Sequence, residues 1–257
     1  MVTLSGITKS FAGRRVLDGV SLEIAAGESV ALLGANGSGK TTTLRCLVGL
    51  AKPDAGTIAI GGIDAARSPL AARSRLSYLP QKSVFPGTLT VRETLTVIAR
   101  LRQTAPSAVD RELDACGLTG LSDRNVALLS GGERQRLAMA VAFLPDVDLY
   151  LFDEASANLD PAALRILFHR ARGLKRQGRT LLFTTHIPAD VRSLATRAVV
   201  LRDGRIESDS AGEFELRRYE RMLERDIWGD DDDSNCDVVA GACPAPDDRV
   251  RRAGAVA

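Results

Sequence analysis

The 257 residues carry 34 Lys and Arg against 32 Asp and Glu, a net charge of +2, with 45% hydrophobic and 4% aromatic residues. A chain of this length buries a substantial core and fits one large domain, or one domain with an inserted lobe. Near-neutral charge and few aromatics exclude a basic, base-stacking face for nucleic acid, and no run of about 18 apolar residues is present to cross a bilayer.

In chain order, the start MVTLSGITKSF lacks the charged and apolar regions of a signal peptide, so the expectation is a cytoplasmic protein that reaches a membrane only through a partner. Val2 to Ile7 and Val16 to Ile24 alternate as half-exposed strands do, whereas Val30 to Leu33 is short and continuously apolar, the pattern of a strand buried on both faces. Leu149 to Phe152 and Leu181 to Thr184 repeat that second pattern, which implies a parallel sheet. The stretch from about 82 to 128 is helical in pattern, with Val91, Leu95, Ile98 and Arg102 at helical spacing and Pro106 and Gly117 as punctuation, and reads as part of an inserted helical lobe spanning about 82–145. Val199 to Ile206 predicts a hairpin around Asp203-Gly204, which joins the first two strands in a smaller antiparallel sheet. Cys46, Cys116, Cys236 and Cys243 form no close pair and read as reduced thiols rather than a zinc or redox site. The fold class expected is α/β: a P-loop parallel core, an antiparallel β subdomain and a helical insert within residues 1–210. A C-terminal amphipathic helix follows at 211–228, with Tyr219, Met222, Leu223 and Ile227 on one face, and then a disordered tail at 229–257.

Gly34 to Thr41, GANGSGKT, matches GxxxxGK[ST] and lies between a buried strand and a helix with Leu44, Leu47 and Val48 on one side. Its glycines allow successive N–H groups to face phosphate oxygens, Lys40 reaches the β- and γ-phosphates, and the Thr41 hydroxyl ligates Mg²⁺. Gly34, Asn36, Gly37, Ser38, Gly39, Lys40, Thr41 and Thr42 are the expected ATP-binding set. The strand DLYLF delivers Asp153 and Glu154 to the sheet edge where α/β folds bind ligands. Asp153 then holds the metal ion through water and Glu154 polarises the attacking water. Two adjacent acids could instead cap the helix beginning near Asn158 to Pro161, but capping does not require four apolar residues to bring them to the phosphate loop. His186 follows LLFTT to the same edge and can donate to a γ-phosphate, whereas His169 sits in a helical pattern.

A second glycine turn, LSGGERQR, opens another helix, with Ser130 as N-cap and Leu137, Ala140, Val141 and Leu144 as its apolar face. One nucleotide does not need two cradles. Taken with the phosphate loop, DLYLFDE, SANLD and His186 in that order, this turn resembles the ATP-binding cassettes of ABC transporters over roughly Val2 to Glu207. The resemblance implies that Ser130, Gly131, Gly132 and Glu133 bind the γ-phosphate of ATP held by an opposite subunit, so that two cassettes sandwich two ATP molecules. It also implies that Phe11 stacks on adenine, although a core role for Phe11 is the alternative, that Gln81 ligates Mg²⁺ or water, and that Asp160 crosses the dimer interface. Ala155 departs from the family pattern, which often has Pro there. The resemblance further implies a transmembrane permease resting beside Gln81 to Glu93, with Phe85 and Leu89 as contacts, and a location on the inner face of the cell membrane. YLPQKSVFPGTLTVRETL is similar to cassettes of ABC-2 type exporters. The competing expectation is a soluble ABC ATPase that remodels macromolecules, such as one for iron–sulfur assembly; a module without turnover would not need Glu154 and His186.

Overall fold

A computed structural model describes residues 1–157 and 159–211; the expected helix at 214–227 and the tail lie outside the described residues. The described residues form two sheets. β1 (Val2–Phe11), β2 (Arg14–Ile24), β4 (Ala55–Ile60) and β5 (Ile63–Asp64) make an antiparallel sheet in the order β2-β1-β4-β5. The second sheet contains β3 (Ser29–Leu33), β6 (Leu76–Leu79), β7 (Leu149–Asp153), β8 (Thr180–Thr184), β9 (Arg197–Arg202) and β10 (Arg205–Ala211), in the order β10-β9-β3-β8-β7-β6. Its pairs are parallel except that of β10 with β9.

The hairpin around Asp203-Gly204 forms, but its place in the fold corrects the expectation. β9 enters the parallel sheet beside β3, and β10 closes that sheet's edge. The physical reason lies in Val199, Val200 and Leu201: all three are buried, so their strand belongs in the two-sided core rather than in a half-exposed sheet. The antiparallel sheet is completed instead by β4 and β5. Gly56 opens β4 at φ 91°, and a Cβ there would stand 2.5 Å from the Ser5 and Gly6 carbonyl oxygens of β1. Only glycine allows that close approach.

One apolar cluster joins Leu4, Ile7, Leu22 and Ile60 of the antiparallel sheet to Val30, Leu32, Leu151, Leu182 and Val199 of the parallel sheet. α1 (Lys40–Leu47) contributes Leu44, Cys46 and Leu47 to the same cluster. Each such aliphatic side chain contributes roughly 1.5–3 kcal/mol when fully buried, so the phosphate loop between β3 and α1 is anchored at both ends. Cys46 and Cys116 are both buried, and burial pushes the Cys116 thiol up to about 12.

α2 (Pro69–Ser74) lies between β5 and β6, and between β6 and β7 lie α3 (Val91–Leu101), α4 (Ser107–Ala115), two 3₁₀ turns and α5 (Gly131–Phe143). Residues 81–90 carry no helix or strand. α3 starts at a reciprocal cap in which Thr90 Oγ1 accepts from Glu93 N and Glu93 Oε2 accepts from Thr90 N. Arg102, placed by its spacing with the apolar residues of this helix, follows its last turn and donates to the Arg73 and Leu76 carbonyls, tying α3 to the start of β6. In α5 the buried set is wider than the expected stripe. Val141 is half-buried, while Met139, Ala142 and Phe143 are buried beside Leu137 and Ala140, because the last turns of α5 are covered on more than one face. α6 (Pro161–Arg176) and α7 (Pro188–Leu194) complete the described fold.

Candidate functional site

β3 ends at Leu33, and the loop 34–39 passes directly into α1 at Lys40. Gly39 has φ 110°, and a Cβ there would meet Leu17 Cδ2 at 2.7 Å and the Val16 carbonyl oxygen at 2.9 Å. A side chain is therefore excluded where the loop turns into the helix. Asn36, Gly37, Gly39, Lys40, Thr41 and Thr42 line a cavity of about 410 Å³, closed by Val16, Gln81, Glu154 and His186. Gly34 and Ser38 shape the loop from behind it. Ser38 Oγ is buried without a hydrogen-bond partner within the described residues.

Lys40 is 4% exposed; its Nζ donates to the Gly34 carbonyl at 2.8 Å and the Ala35 carbonyl at 3.1 Å, and lies 3.7 Å from Glu154 Oε1. Burial lowers its pKa, and the neighbouring Glu154 and Asp153 carboxylates oppose that shift. Asp153, at the end of β7, is buried among three hydroxyl donors. Thr41 Oγ1 and Thr184 Oγ1 each donate to its Oδ1 at 2.9 Å, and Tyr78 OH donates to its Oδ2 at 3.1 Å. Burial, reinforced by the Asp153 charge, pushes the Tyr78 phenol upward, so it stays a donor.

Glu154 is the first residue past the strand and adopts φ 46°. For a residue other than glycine this left-handed backbone stores about 1–3 kcal/mol. It is held there because its N–H donates to Thr184 Oγ1 at 2.9 Å. Its side chain receives Gln81 Nε2 on Oε2 at 2.8 Å, and His186 Nδ1 lies 3.9 Å from Oε1. Glu154 thus stands at the centre of Lys40, Gln81 and His186. The capping alternative for the acid pair does not hold, since α6 is capped by Asp160, whose Oδ1 accepts from Ala162 N and Ala163 N at 2.8 Å.

The second glycine turn is elsewhere. Ser130 caps α5 by a reciprocal pair: Ser130 Oγ accepts from Glu133 N at 3.3 Å, and Glu133 Oε2 accepts from Ser130 N at 2.7 Å. The bond from the Ser130 N–H, helped by the Ser130 hydroxyl, holds the Glu133 carboxyl below the usual glutamate range. Ser130, Gly131, Gly132 and Glu133 do not line the phosphate cavity, and neither does Asp160. Asp160 lies instead beside the turn, with its Oδ2 3.2 Å from where a Cβ on Gly132 would stand. Gln81 connects the two regions, because it also lines a second cavity of about 320 Å³ with Gly131, Gln135, Met139 and Ala155. Phe11 ends β1 and is 47% exposed, with Lys9 Nζ 5.2 Å from its ring centroid. This overturns the core alternative for Phe11, and Phe11 does not line the phosphate cavity.

Val16, Tyr78 and Thr184 belong to the site without having been singled out in the sequence. Thr184 had a readable signal, since a hydroxyl ends β8 opposite Asp153 in the strand register. Tyr78 and Val16 had none. The side chains here suit a hard cation: the Thr41 hydroxyl already touches the Asp153 carboxylate, and Gln81 lines the same cavity as Thr41 with an amide.

The family model described as ABC transporter matches residues 17–157. The Nod factor export ATP-binding protein I of Paraburkholderia xenovorans (strain LB400) is 38% identical over 209 residues, covering 80% of this chain and 69% of the relative. A solved ATP-binding subunit of an ABC transporter aligns with a TM-score of 0.80 at 28% identity, covering 87% of this chain and 99% of that one. A dimeric ATP-binding cassette in a post-hydrolysis state, bound to ADP and Pi, aligns with a TM-score of 0.76 at 25% identity, covering 82% of this chain and 98% of that one.

Proposed function

The chain belongs to the ABC transporter family as an ATP-binding, ATP-hydrolysing cassette, and from that premise we propose that it powers export through a separate membrane permease by closing as a dimer on two ATP molecules. The observation that carries this reading is the separation of the two glycine turns. The Lys40 loop, Glu154 and His186 bound one cavity, while the capped N-terminus of α5 stands outside it. A helix N-terminus with free N–H groups suits a phosphate. Within one chain that end does not line the cavity of the Lys40 loop, so in this reading a second copy presents it, with the two-fold symmetry of a closed dimer.

In the proposed reaction, Lys40 exchanges the Gly34 and Ala35 carbonyls for β- and γ-phosphate oxygens. Phe11, whose face is exposed, takes the adenine. Thr41, Asp153 and Gln81 would hold Mg²⁺, which supplies charge neutralisation on the phosphates. Gln81 leaves Glu154 Oε2, freeing that carboxylate to accept a proton from the attacking water, and His186 donates to the γ-phosphate. Ser130, Gly131 and Gly132 of the opposite copy complete the phosphate shell, and Glu133 and Asp160 order that edge. Loss of the γ-phosphate removes the charge both copies grip, and the dimer opens.

The permease reading rests on the loop after Gln81. Val84 is 91% exposed, whereas Phe85 and Leu89 are half-buried, so Val84 replaces them as the leading apolar contact. Through that contact the cassette sits on the inner face of the membrane. Export follows the name of the Paraburkholderia relative, which also favours transport over soluble remodelling. The test mixes two inactive variants, Lys40→Ala with an intact α5 turn and Ser130→Arg with an intact phosphate loop. Heterodimers then contain one sound site, and turnover returns to about a quarter of the native rate. Turnover in the mixture no greater than the sum of the separate variants would overturn the shared-site reading.

A further inference from the structure

Asp190, in the first turn of α7, is 4% exposed, and its Oδ2 accepts hydrogen bonds from hydroxyls of two separate loops. One is Thr185 Oγ1, at 2.7 Å, and the other is Ser156 Oγ. Thr185 immediately precedes His186; Ser156 stands two residues after Glu154. On the first loop, Thr185 Oγ1 also accepts from Ile187 N at 2.9 Å, so the hydroxyl brackets His186 from both sides. On the second, Ala157 N donates to the Glu154 carbonyl at 3.0 Å, closing a tight turn that contains Ser156.

We propose that Asp190 is a positioning residue that sets the spacing of Glu154 and His186 by gripping both of their loops through a single carboxylate oxygen. The proposal rests on the catalytic reading of those two residues given above. A buried carboxylate is costly unless its donors are in place. If either loop drifts, Asp190 loses one of the two hydroxyls and the desolvated oxygen is left underpaired, so the charge itself resists the drift. The link bridges 34 residues of sequence and includes no residue that lines the phosphate cavity. Its effect is therefore on the alignment of the two reacting side chains, not on contacts with nucleotide. A misplacement of about 1 Å at a reacting group costs on the order of a hundredfold in rate.

The test is steady-state ATP hydrolysis by the full chain with Asp190→Asn, Ser156→Ala, Thr185→Val and Thr185→Ser, beside direct binding of a non-hydrolysable ATP analogue. Asp190→Asn, Ser156→Ala and Thr185→Val are expected to lower kcat about tenfold while KM and analogue affinity stay within about twofold. Thr185→Ser keeps the hydroxyl and the native kcat. Ser156→Ala combined with Asp190→Asn is no worse than Asp190→Asn alone, because both remove one link. Native kcat in the single variants, additive losses in the double variant, or affinity falling together with kcat would each overturn the proposal. Should Asp190→Asn not fold, Ser156→Ala at its half-buried position decides alone. Glu154→Gln is measured in parallel. If it retains turnover, the catalytic reading of the site fails; if it abolishes turnover while the clamp variants keep native kcat, only the role of Asp190 fails.

Discussion

Thr184→Val removes one buried hydroxyl without changing the shape of the side chain. In the native structure that hydroxyl donates to Asp153 Oδ1 at 2.9 Å and accepts from Glu154 N at 2.9 Å. Its residue is 2% exposed, so water does not readily replace it. A hydrogen bond to a charged group is worth roughly 1.5–3 kcal/mol and one between neutral groups roughly 0.5–1.5 kcal/mol. Losing both costs about 2–4.5 kcal/mol. For a fold of this size, each kcal/mol lowers Tm by about 2–4 °C, so the expected drop is about 4–18 °C. Turnover should fall with it, because the left-handed backbone of Glu154 then keeps only the longer bond from its N–H to the Thr184 carbonyl, at 3.2 Å. Differential scanning calorimetry and an ATPase assay read both effects, with Thr184→Ser as the variant that retains the hydroxyl. A Tm within about 2 °C of native for Thr184→Val, or a Thr184→Ser variant as damaged as Thr184→Val, would refute the reasoning.

Glu112 of α4 is fully buried, with Oε1 2.9 Å from Arg170 of α6 and 3.3 Å from Arg111; Glu112→Ala leaves Arg170 without its carboxylate and is expected to cost about 3–5 kcal/mol in urea unfolding. The Glu133 carboxyl titrates lower in the folded chain than its ordinary value of about 4.3, so its capping contribution is complete above that value and disappears as pH falls through the lowered one. The stability difference between native protein and Glu133→Gln should therefore shrink steadily in acid; a difference that grows in acid would contradict the assignment.

Contiguous patterns made part of the site readable. The phosphate loop follows a continuous apolar strand, and Asp153 and Glu154 follow another, so strand and chemistry announce each other. β4 was harder, because Gly56 breaks its alternation for the sake of a close approach to β1, a contact 50 residues away in sequence. β6 is only four residues long and merges into the Gln81 loop. The partners of Asp153 show the same limit. Tyr78 reaches it across 75 residues with nothing local to mark that meeting, whereas Thr184, 31 residues away, is marked only by its place at the end of a buried strand. The hairpin at Asp203-Gly204 illustrates a third case: turn chemistry identified it, but its sheet depended on which strand β9 lies beside. Asp190 carries no motif, and Ser156, although it opens SANLD, has nothing local that points to Asp190; the pair becomes visible only when their loops are placed together.

The central claim, that the α5 turn is the second jaw of a site shared between copies, is tested most directly by the particle mass of Glu154→Gln in solution. Light scattering should report monomer without nucleotide and a doubled mass with ATP and Mg²⁺, since ATP then joins the copies without being cleaved. Adding Ser130→Arg should abolish the doubling while leaving ATP binding intact. A mass that doubles in spite of Ser130→Arg, or that stays monomeric while ATP is bound, would contradict the account.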